Sequence, residues 1–131
     1  MISVSSRPIT VSVDSEKFLA YFSRIENIAD VFECKPVRHL KVIDNKLSFI
    51  LKRVAQFELL LSKESSTGWV QYNSTSAMLF QSAVRFELNT DTNEATIHIE
   101  TDTNQFMELF LEKRLRKLLS HLSANIKLQL N

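Results

Sequence analysis

The last third of the chain places four residues with aromatic or polar side chains at helical spacing. Phe110, Arg114, His121 and Asn125 follow one another at steps of four, seven and four residues, which return to nearly the same side of an α-helix. Arg114 could pair with the carboxylate of a ligand, and His121 could donate or accept a hydrogen bond near neutral pH. In the alternative interpretation, Arg114 extends to solvent over the rim of a sheet and His121 is an ordinary boundary residue.

Other residue types that often perform chemistry are not arranged for it. His39, His98 and His121 fall on different predicted elements without the spacing of a metal motif, so we predict no metal ion. Cys34 is the single cysteine, which excludes an intramolecular disulfide, and we interpret it as a packed or partly exposed thiol. Because Gly68 is the single glycine, a dinucleotide-binding fingerprint, a phosphate-binding loop and a nucleophile elbow are all excluded. The sequence therefore predicts no cofactor and no catalytic residue.

The length of 131 residues predicts one domain, residues 1–131. Of these residues 44% are hydrophobic, which is enough to build a sizeable core. The 16 Lys and Arg against 15 Asp and Glu give a net charge of +1, so no overall field attracts nucleic acid. No apolar run approaches the roughly 20 residues of a transmembrane helix, and residues 1–8 lack the features of a secretory signal. We therefore expect a cytoplasmic protein without a nucleic-acid partner or integral membrane association. Its oligomeric state is left open.

The N-terminal pattern predicts one strand followed by two short helices. Residues 9–13 alternate between apolar and polar side chains, and Asp14 can cap the helix that follows. Ser23 and Glu26 have the spacing of a capping box, which predicts that a second short helix starts at Ser23. Pro36 then ends the helical region.

From residue 37 to residue 103 the two-residue period predicts strands, with turn signals at residues 44–45, 65–68 and 89–93. These strands form an antiparallel meander of about six strands with one apolar face, which makes about seven strands with the first one. Since no glycine lies within the predicted strands, any bending of the sheet must come from bulges and from the choice of side chains.

A long final helix is predicted from the cap residue Asn104 to about Lys127. Its apolar residues recur at helical spacing and form one broad stripe: Met107, Leu111, Leu115, Leu118, Leu119, Leu122 and Ile126. The apolar face of the meander is the partner of matching size, so we predict an α+β fold of two layers, in the order β-α-α-β6-α.

This order of elements resembles the START-like superfamily, also called the SRPBCC or helix-grip fold. The resemblance covers nearly the whole chain and rests on Val13, Asp14 and Phe18 at the first junction, on the meander, and on the junction at residues 101–107. It implies a strongly curved sheet that wraps around the C-terminal helix and encloses an apolar cavity. Members of the superfamily bind lipids, sterols, polyketides or other hydrophobic small molecules, and some are cyclases, aromatases or dioxygenase subunits. The Gly-rich loop of the pollen-allergen branch is absent.

The candidate ligand-binding residues are inward-facing strand residues and residues on the border of the final helix: Phe49, Phe57, Leu59, Tyr72, Ser82, Phe86, Phe110, Arg114 and His121. Tyr72 and Ser82 are candidate polar anchors, because each places a hydroxyl among apolar neighbours. We expect the domain to bind a hydrophobic or amphipathic small molecule between the sheet and the C-terminal helix. Two alternatives remain open. One is a polyketide cyclase or aromatase that uses Tyr72, Arg114 or His121 to orient substrate or move protons. The other is an interaction module whose core is filled by its own Phe residues.

Overall fold

A computed structural model describes residues 1–52, 55–65, 68–78 and 80–131, and the side chains of these residues except 63–65. Within these ranges the elements are β1 (Ile2–Ser5), β2 (Ile9–Thr10), α1 (Ser15–Phe22), α2 (Ile25–Phe32), β3 (Val37–Ile43), β4 (Lys46–Leu51), β5 (Ala55–Ser65), β6 (Trp69–Ser74), β7 (Ser82–Asn89), β8 (Glu94–Thr101) and α3 (Gln105–Gln129). Neighbouring strands are antiparallel in the order β1-β8-β7-β6-β5-β4-β3, and β2 also pairs with β8. The predicted α+β fold, with a meander followed by a long C-terminal helix, is confirmed.

The sheet bends at bulges, as the shortage of glycine requires. The pairing of β3 with β4 shifts register between Arg38 and Lys41, and His39 within that shift has a positive φ of 53°. A second shift lies in β5, between Leu61 and Lys63. Such shifts add a residue to one strand and increase its local twist, which lets a sheet curve without a glycine kink.

The predicted turns are found where the structure describes them. Asp44 and Asn45 both have positive φ, at 53° and 61°, which suits the tight two-residue connection between β3 and β4. Gly68 has a φ of 109°, and its carbonyl accepts a hydrogen bond of 2.7 Å from the amide of Leu88. Residues 66 and 67 of the same predicted turn lie outside the described residues. Gly68 therefore adopts a backbone conformation that residues with a Cβ rarely adopt.

The N-terminal region differs from the prediction in two ways: one strand is shorter than predicted, and another strand was not predicted. The predicted strand at residues 9–13 is the shorter β2, since Val11 instead bonds to Asn93 and Ser12 bonds to Leu130. The sequence-based prediction also missed β1, whose Ile2 and Val4 are buried while it pairs with β8. In the described residues the sheet thus has eight strands rather than about seven. Pro8 lies between β1 and β2, where its missing amide interrupts strand hydrogen bonding.

The break between α1 and α2 was predicted, but its stated cause was wrong. Asp14 caps α1 as expected, because its carboxylate accepts from the amide of Lys17 at 2.9 Å. Ser23 does not cap α2: its hydroxyl donates backwards to the carbonyl of Leu19 at 2.6 Å. Arg24 is the N-cap residue of α2 and makes no side-chain capping bond. The stability of α2 therefore comes mainly from burying Ile25, Ile28, Val31 and Phe32.

Helix α3 packs against β1, β2 and β8 of the sheet and against α2. Asn104 caps it as predicted, accepting from the amide of Met107 at 2.9 Å. The helix returns from the end of β8 to the segment after β2, where Ser12 donates to the carbonyl of Leu130 at 3.0 Å. Of the predicted stripe, the residues from the second turn of the helix onward are buried: Leu111, Leu115, Leu118, Leu119, Leu122 and Ile126. Met107 is half-buried.

Candidate functional site

Arg114 and His121, the two predicted polar residues of the final helix, line one pocket of about 140 Å³ at the border between α3 and the sheet. Lys117 lies between them on the same side of α3, because steps of three and four residues stay on one helix face. The opposite walls come from the segment before β3 and from the end of β4. The full set of lining residues is Lys35, Pro36, Leu51, Lys52, Arg114, Lys117 and His121.

The pocket has an apolar floor, a half-buried middle and an exposed rim. Pro36 and Leu51 are buried and form the floor. Arg114 and His121 are half-buried, whereas the side chains of Lys35, Lys52 and Lys117 are exposed. A cleft of this kind, apolar below and polar around its opening, suits a molecule that has both an apolar part and a charged part.

The charges around the pocket have one sign. Four lining residues are Lys or Arg, one is His, and none of the described residues that line it is acidic. Ion pairs in the described ranges join His98 to Glu87 and Arg116 to Glu112, so no pocket cation is paired with a carboxylate there. The pocket is thus a local concentration of positive charge in a chain whose net charge is only +1.

Hydrogen bonds to backbone carbonyls hold the walls of the pocket in place. The amide of Lys52 donates to the carbonyl of Pro36 at 3.1 Å, which fixes the two non-helical walls against each other. Asn125, which the sequence placed on the same border as Arg114, donates from its side-chain amide to the carbonyls of Val31 and Glu33 at 2.9 and 3.0 Å. Asn125 therefore ties α3 to the end of α2 and to the segment that carries Lys35.

Phe110 lies beside the pocket, one helical turn before Arg114. The guanidinium carbon of Arg114 is 5.6 Å from the centroid of the Phe110 ring, within cation–π range. Phe110 is 56% exposed, and in the same two turns Phe106 is 92% and Leu109 83% exposed. The first two turns of α3 thus present apolar side chains to solvent, and the first buried residue of the helix is Leu111.

Two of the predicted strand residues adjoin the floor of the pocket. Phe49 is on the same face of β4 as Leu51, two residues away, and its ring stacks on Phe57 with centroids 5.2 Å apart. The ring of Phe32 in α2 is also close to Phe49, with centroids 5.1 Å apart. Phe49 and Phe57 therefore lie beside Leu51 on the same face of the sheet, and each is packed by an aromatic neighbour.

The remaining four predicted residues are buried away from this pocket. Leu59 and Tyr72 are fully buried, and the hydroxyl of Tyr72 donates to the carbonyl of Phe22 at 2.5 Å. Phe86 stacks on Phe22 at 4.6 Å. The hydroxyls of Ser82 and Thr101 are 3.1 Å apart and share a hydrogen bond. The structure thus brings together Phe110, Arg114 and His121 but places Tyr72 and Ser82 against partners within the protein.

Sequence reasoning missed most of the pocket wall. Lys35, Pro36, Leu51 and Lys52 are distant from α3 in the sequence, and no periodicity connects them to it. Lys117 was detectable from the sequence, because it lies three residues from Arg114 and four from His121.

The cysteine and the residue types that bind metal ions are not arranged as a reactive site in the described residues. Burial raises the pKa of the Cys34 thiol to about 11, against a weaker opposing effect of a backbone hydrogen bond with Val37, so the thiol is protonated at neutral pH. Within the described part of the chain, no three His, Cys, Asp or Glu side chains are grouped so that they could hold a metal ion. No helix in the described ranges is both long and apolar enough to span a bilayer.

Comparison with known proteins gives similarity in structure alone. No family model matches the sequence, and no curated protein matches it. A protein from Thermus thermophilus has a TM-score of 0.65 at 10% identity, covering 99% of this chain and 100% of that one. The Zhui aromatase/cyclase from Streptomyces sp. R1128 has a TM-score of 0.61 at 10% identity, covering 98% of this chain and 90% of that one.

A third similar structure is the Aha1 dimer from Colwellia psychrerythraea, with a TM-score of 0.56 at 14% identity and 97% coverage of both chains. These similarities cover nearly the whole chain and agree with the curved sheet and the long C-terminal helix. The chain has the helix-grip fold. In this helix-grip domain, the basic pocket lies where the C-terminal helix meets the end of β4.

Proposed function

We propose that the protein binds an amphipathic small molecule at the border between α3 and the sheet, with the polar end of the molecule in the pocket lined by Arg114 and His121. One observation carries the proposal: a cationic pocket with an apolar floor lies directly beside exposed apolar side chains of α3. Charged and apolar recognition groups are thus available within one site.

The size of the pocket limits which part of the ligand it can hold. A volume of about 140 Å³ accommodates one small polar group, since a water molecule takes up about 30 Å³ in the liquid. The apolar remainder then lies along Phe110 and the first two turns of α3, or enters over Leu51 toward Phe49 and Phe57. The second path requires Phe49 and Phe57 to repack, because their rings now stack on each other.

Binding is proposed in preference to catalysis because the pocket groups carry a single sign of charge. Many acid–base sites pair two titratable groups whose environments separate their pKa values, and in several well-known cases one of the two is a carboxylate. The described lining residues include none. Tyr72, a proton-transfer candidate in the cyclase or aromatase alternative, donates its hydroxyl to Phe22 and is fully buried.

The proposal is tested by calorimetric titration with octanoate, using Phe110→Ser and the matched control Leu128→Ser. Leu128 is 77% exposed and lies near the other end of the same helix, so both variants remove an exposed apolar side chain from α3. We expect wild type and Leu128→Ser to bind octanoate equally. Phe110→Ser should bind about fivefold more weakly, since the lost apolar contact is worth about 1 kcal/mol.

Two results would contradict the proposed function. One is the absence of octanoate binding to the wild-type protein. The other is equal weakening in both variants, which would indicate nonspecific adsorption to exposed apolar residues rather than binding beside Arg114.

A further inference from the structure

We infer that the polar end of the ligand is an oxyanion, a carboxylate or a phosphate, bound by Arg114 and Lys117 in the basic pocket. This inference rests on the proposed function and adds the chemical class of the group that the pocket selects.

The charge around the pocket is unbalanced. Lys35, Lys52, Arg114 and Lys117 are four of the 16 basic residues of the chain, and all four line a pocket of about 140 Å³. Like charges held close together repel one another, and no described lining residue supplies a carboxylate to offset this repulsion. A bound anion removes the repulsion, whereas a neutral polar group does not.

The position of Arg114 also favours an oxyanion. The residue is half-buried, its guanidinium carbon is 5.6 Å from the centroid of the Phe110 ring, and it lines the pocket together with the buried Leu51 and Pro36. A planar guanidinium group offers paired N–H donors that match the two oxygens of a carboxylate or phosphate. Apolar surroundings reduce solvent screening, so the attraction is stronger here than for an arginine in open water.

Hydrogen bonds hold the walls of the site in place before a ligand binds. Lys52 donates to the carbonyl of Pro36, and Asn125 fastens α3 to the carbonyls of Val31 and Glu33. These bonds set the spacing between the helix that carries Arg114 and the segments that carry Lys35 and Lys52. The protein therefore loses less conformational freedom when an anion binds.

The test compares four probes by calorimetric titration: octanoate, octyl phosphate, octan-1-ol and acetate. We expect octanoate and octyl phosphate each to bind at least tenfold more tightly than octan-1-ol, and the binding of both anions to weaken as salt is added. The ratio of octanoate to octyl phosphate affinity shows which oxyanion the pocket prefers. Octanoate should also bind more tightly than acetate, because acetate lacks the apolar chain.

Three variants assign the effect to residues. Arg114→Met and Lys117→Met should each reduce octanoate affinity about tenfold and leave octan-1-ol affinity unchanged. Lys113→Met is the matched control, because Lys113 is exposed on the same helix, loses the same charge and does not line the pocket. Thermal unfolding of each variant checks that it is folded, and Lys117 is exposed enough to be replaced without disturbing the core.

The outcomes separate this inference from the proposed function. Equal affinity for octan-1-ol and octanoate, or octanoate binding that is insensitive to both Arg114→Met and Lys117→Met, would overturn the inference while leaving amphiphile binding intact. Equal affinity for acetate and octanoate would support the anion site but contradict the proposed function, since the apolar part would then contribute nothing.

Discussion

At the scale of single residues, the two tyrosines differ in what their buried hydroxyl groups bond to. The hydroxyl of Tyr72 donates to the carbonyl of Phe22 at 2.5 Å. The hydroxyl of Tyr21 is buried without a hydrogen-bond partner in the described part of the chain. Burial raises the pKa of Tyr21, and the negative charge of Asp30 raises it further. The Tyr21 hydroxyl has therefore lost its hydrogen bonds to water without gaining one in the described part of the protein, and this makes its burial unfavourable.

Replacing each tyrosine with phenylalanine should therefore have opposite consequences. Tyr72→Phe is expected to lower the free energy of unfolding by about 1–2 kcal/mol, because it leaves the Phe22 carbonyl without its partner. Tyr21→Phe should leave the free energy of unfolding unchanged or raise it by up to about 1 kcal/mol, since the group removed is already unsatisfied. Urea denaturation measures both values. A larger loss for Tyr21→Phe than for Tyr72→Phe would show that this assignment of hydrogen bonds is wrong.

At the scale of elements, the starts of α1 and α2 make a second matched pair. Asp14→Ala removes a carboxylate that accepts from the amide of Lys17, and should lower the free energy of unfolding by about 1 kcal/mol. Ser23→Ala removes a hydroxyl that does not cap α2 and donates to the Leu19 carbonyl, which also accepts from the Ser23 amide, so its effect should stay within about 0.5 kcal/mol. Denaturation of the two variants distinguishes them. A loss near 1 kcal/mol for Ser23→Ala would reinstate the capping box.

The same comparison shows what the sequence could predict about the fold and what it could not. Periodicity and cap residues describe one element at a time, which is why α3 and the strands of the meander were found. Whether Ser23 caps α2 or bonds back to Leu19 depends on the local path of the backbone, and the residue types are compatible with both.

The candidate site was predictable to the same extent. The border of α3 followed from helical spacing, so Phe110, Arg114 and His121 were identified. Which parts of the chain face that border depends on strand register and on the bulges in β3 and β5, and these are tertiary properties. Lys35, Pro36 and Lys52 were therefore outside the reach of any pattern within α3.

At the scale of the whole molecule, α3 is less buried at its N-terminal end than along the rest of its length. From Leu111 onward the helix buries a residue every three or four positions, and its far end is joined to the N-terminal segment through Ser12 and Leu130. The turns before Leu111 contain no buried residue and expose Phe106, Leu109 and Phe110. Packing rather than intrinsic propensity supplies most helix stability in proteins, so these turns should open more easily than the rest.

Amide hydrogen exchange should resolve this difference and connect it to function. In the free protein, we expect the amides of residues 109–112 to exchange at least tenfold faster than those of residues 118–126, because opening the first turns breaks few buried contacts. Saturating octanoate should slow exchange at residues 109–112 and leave residues 118–126 nearly unchanged, since the proposed ligand lies against Phe110 and Arg114. Acetate at the same concentration is the control and should protect less. Equal protection of the amides along the whole of α3 in the free protein would contradict this difference in burial. Protection by octanoate that begins only beyond Leu122 would place the ligand elsewhere on the helix.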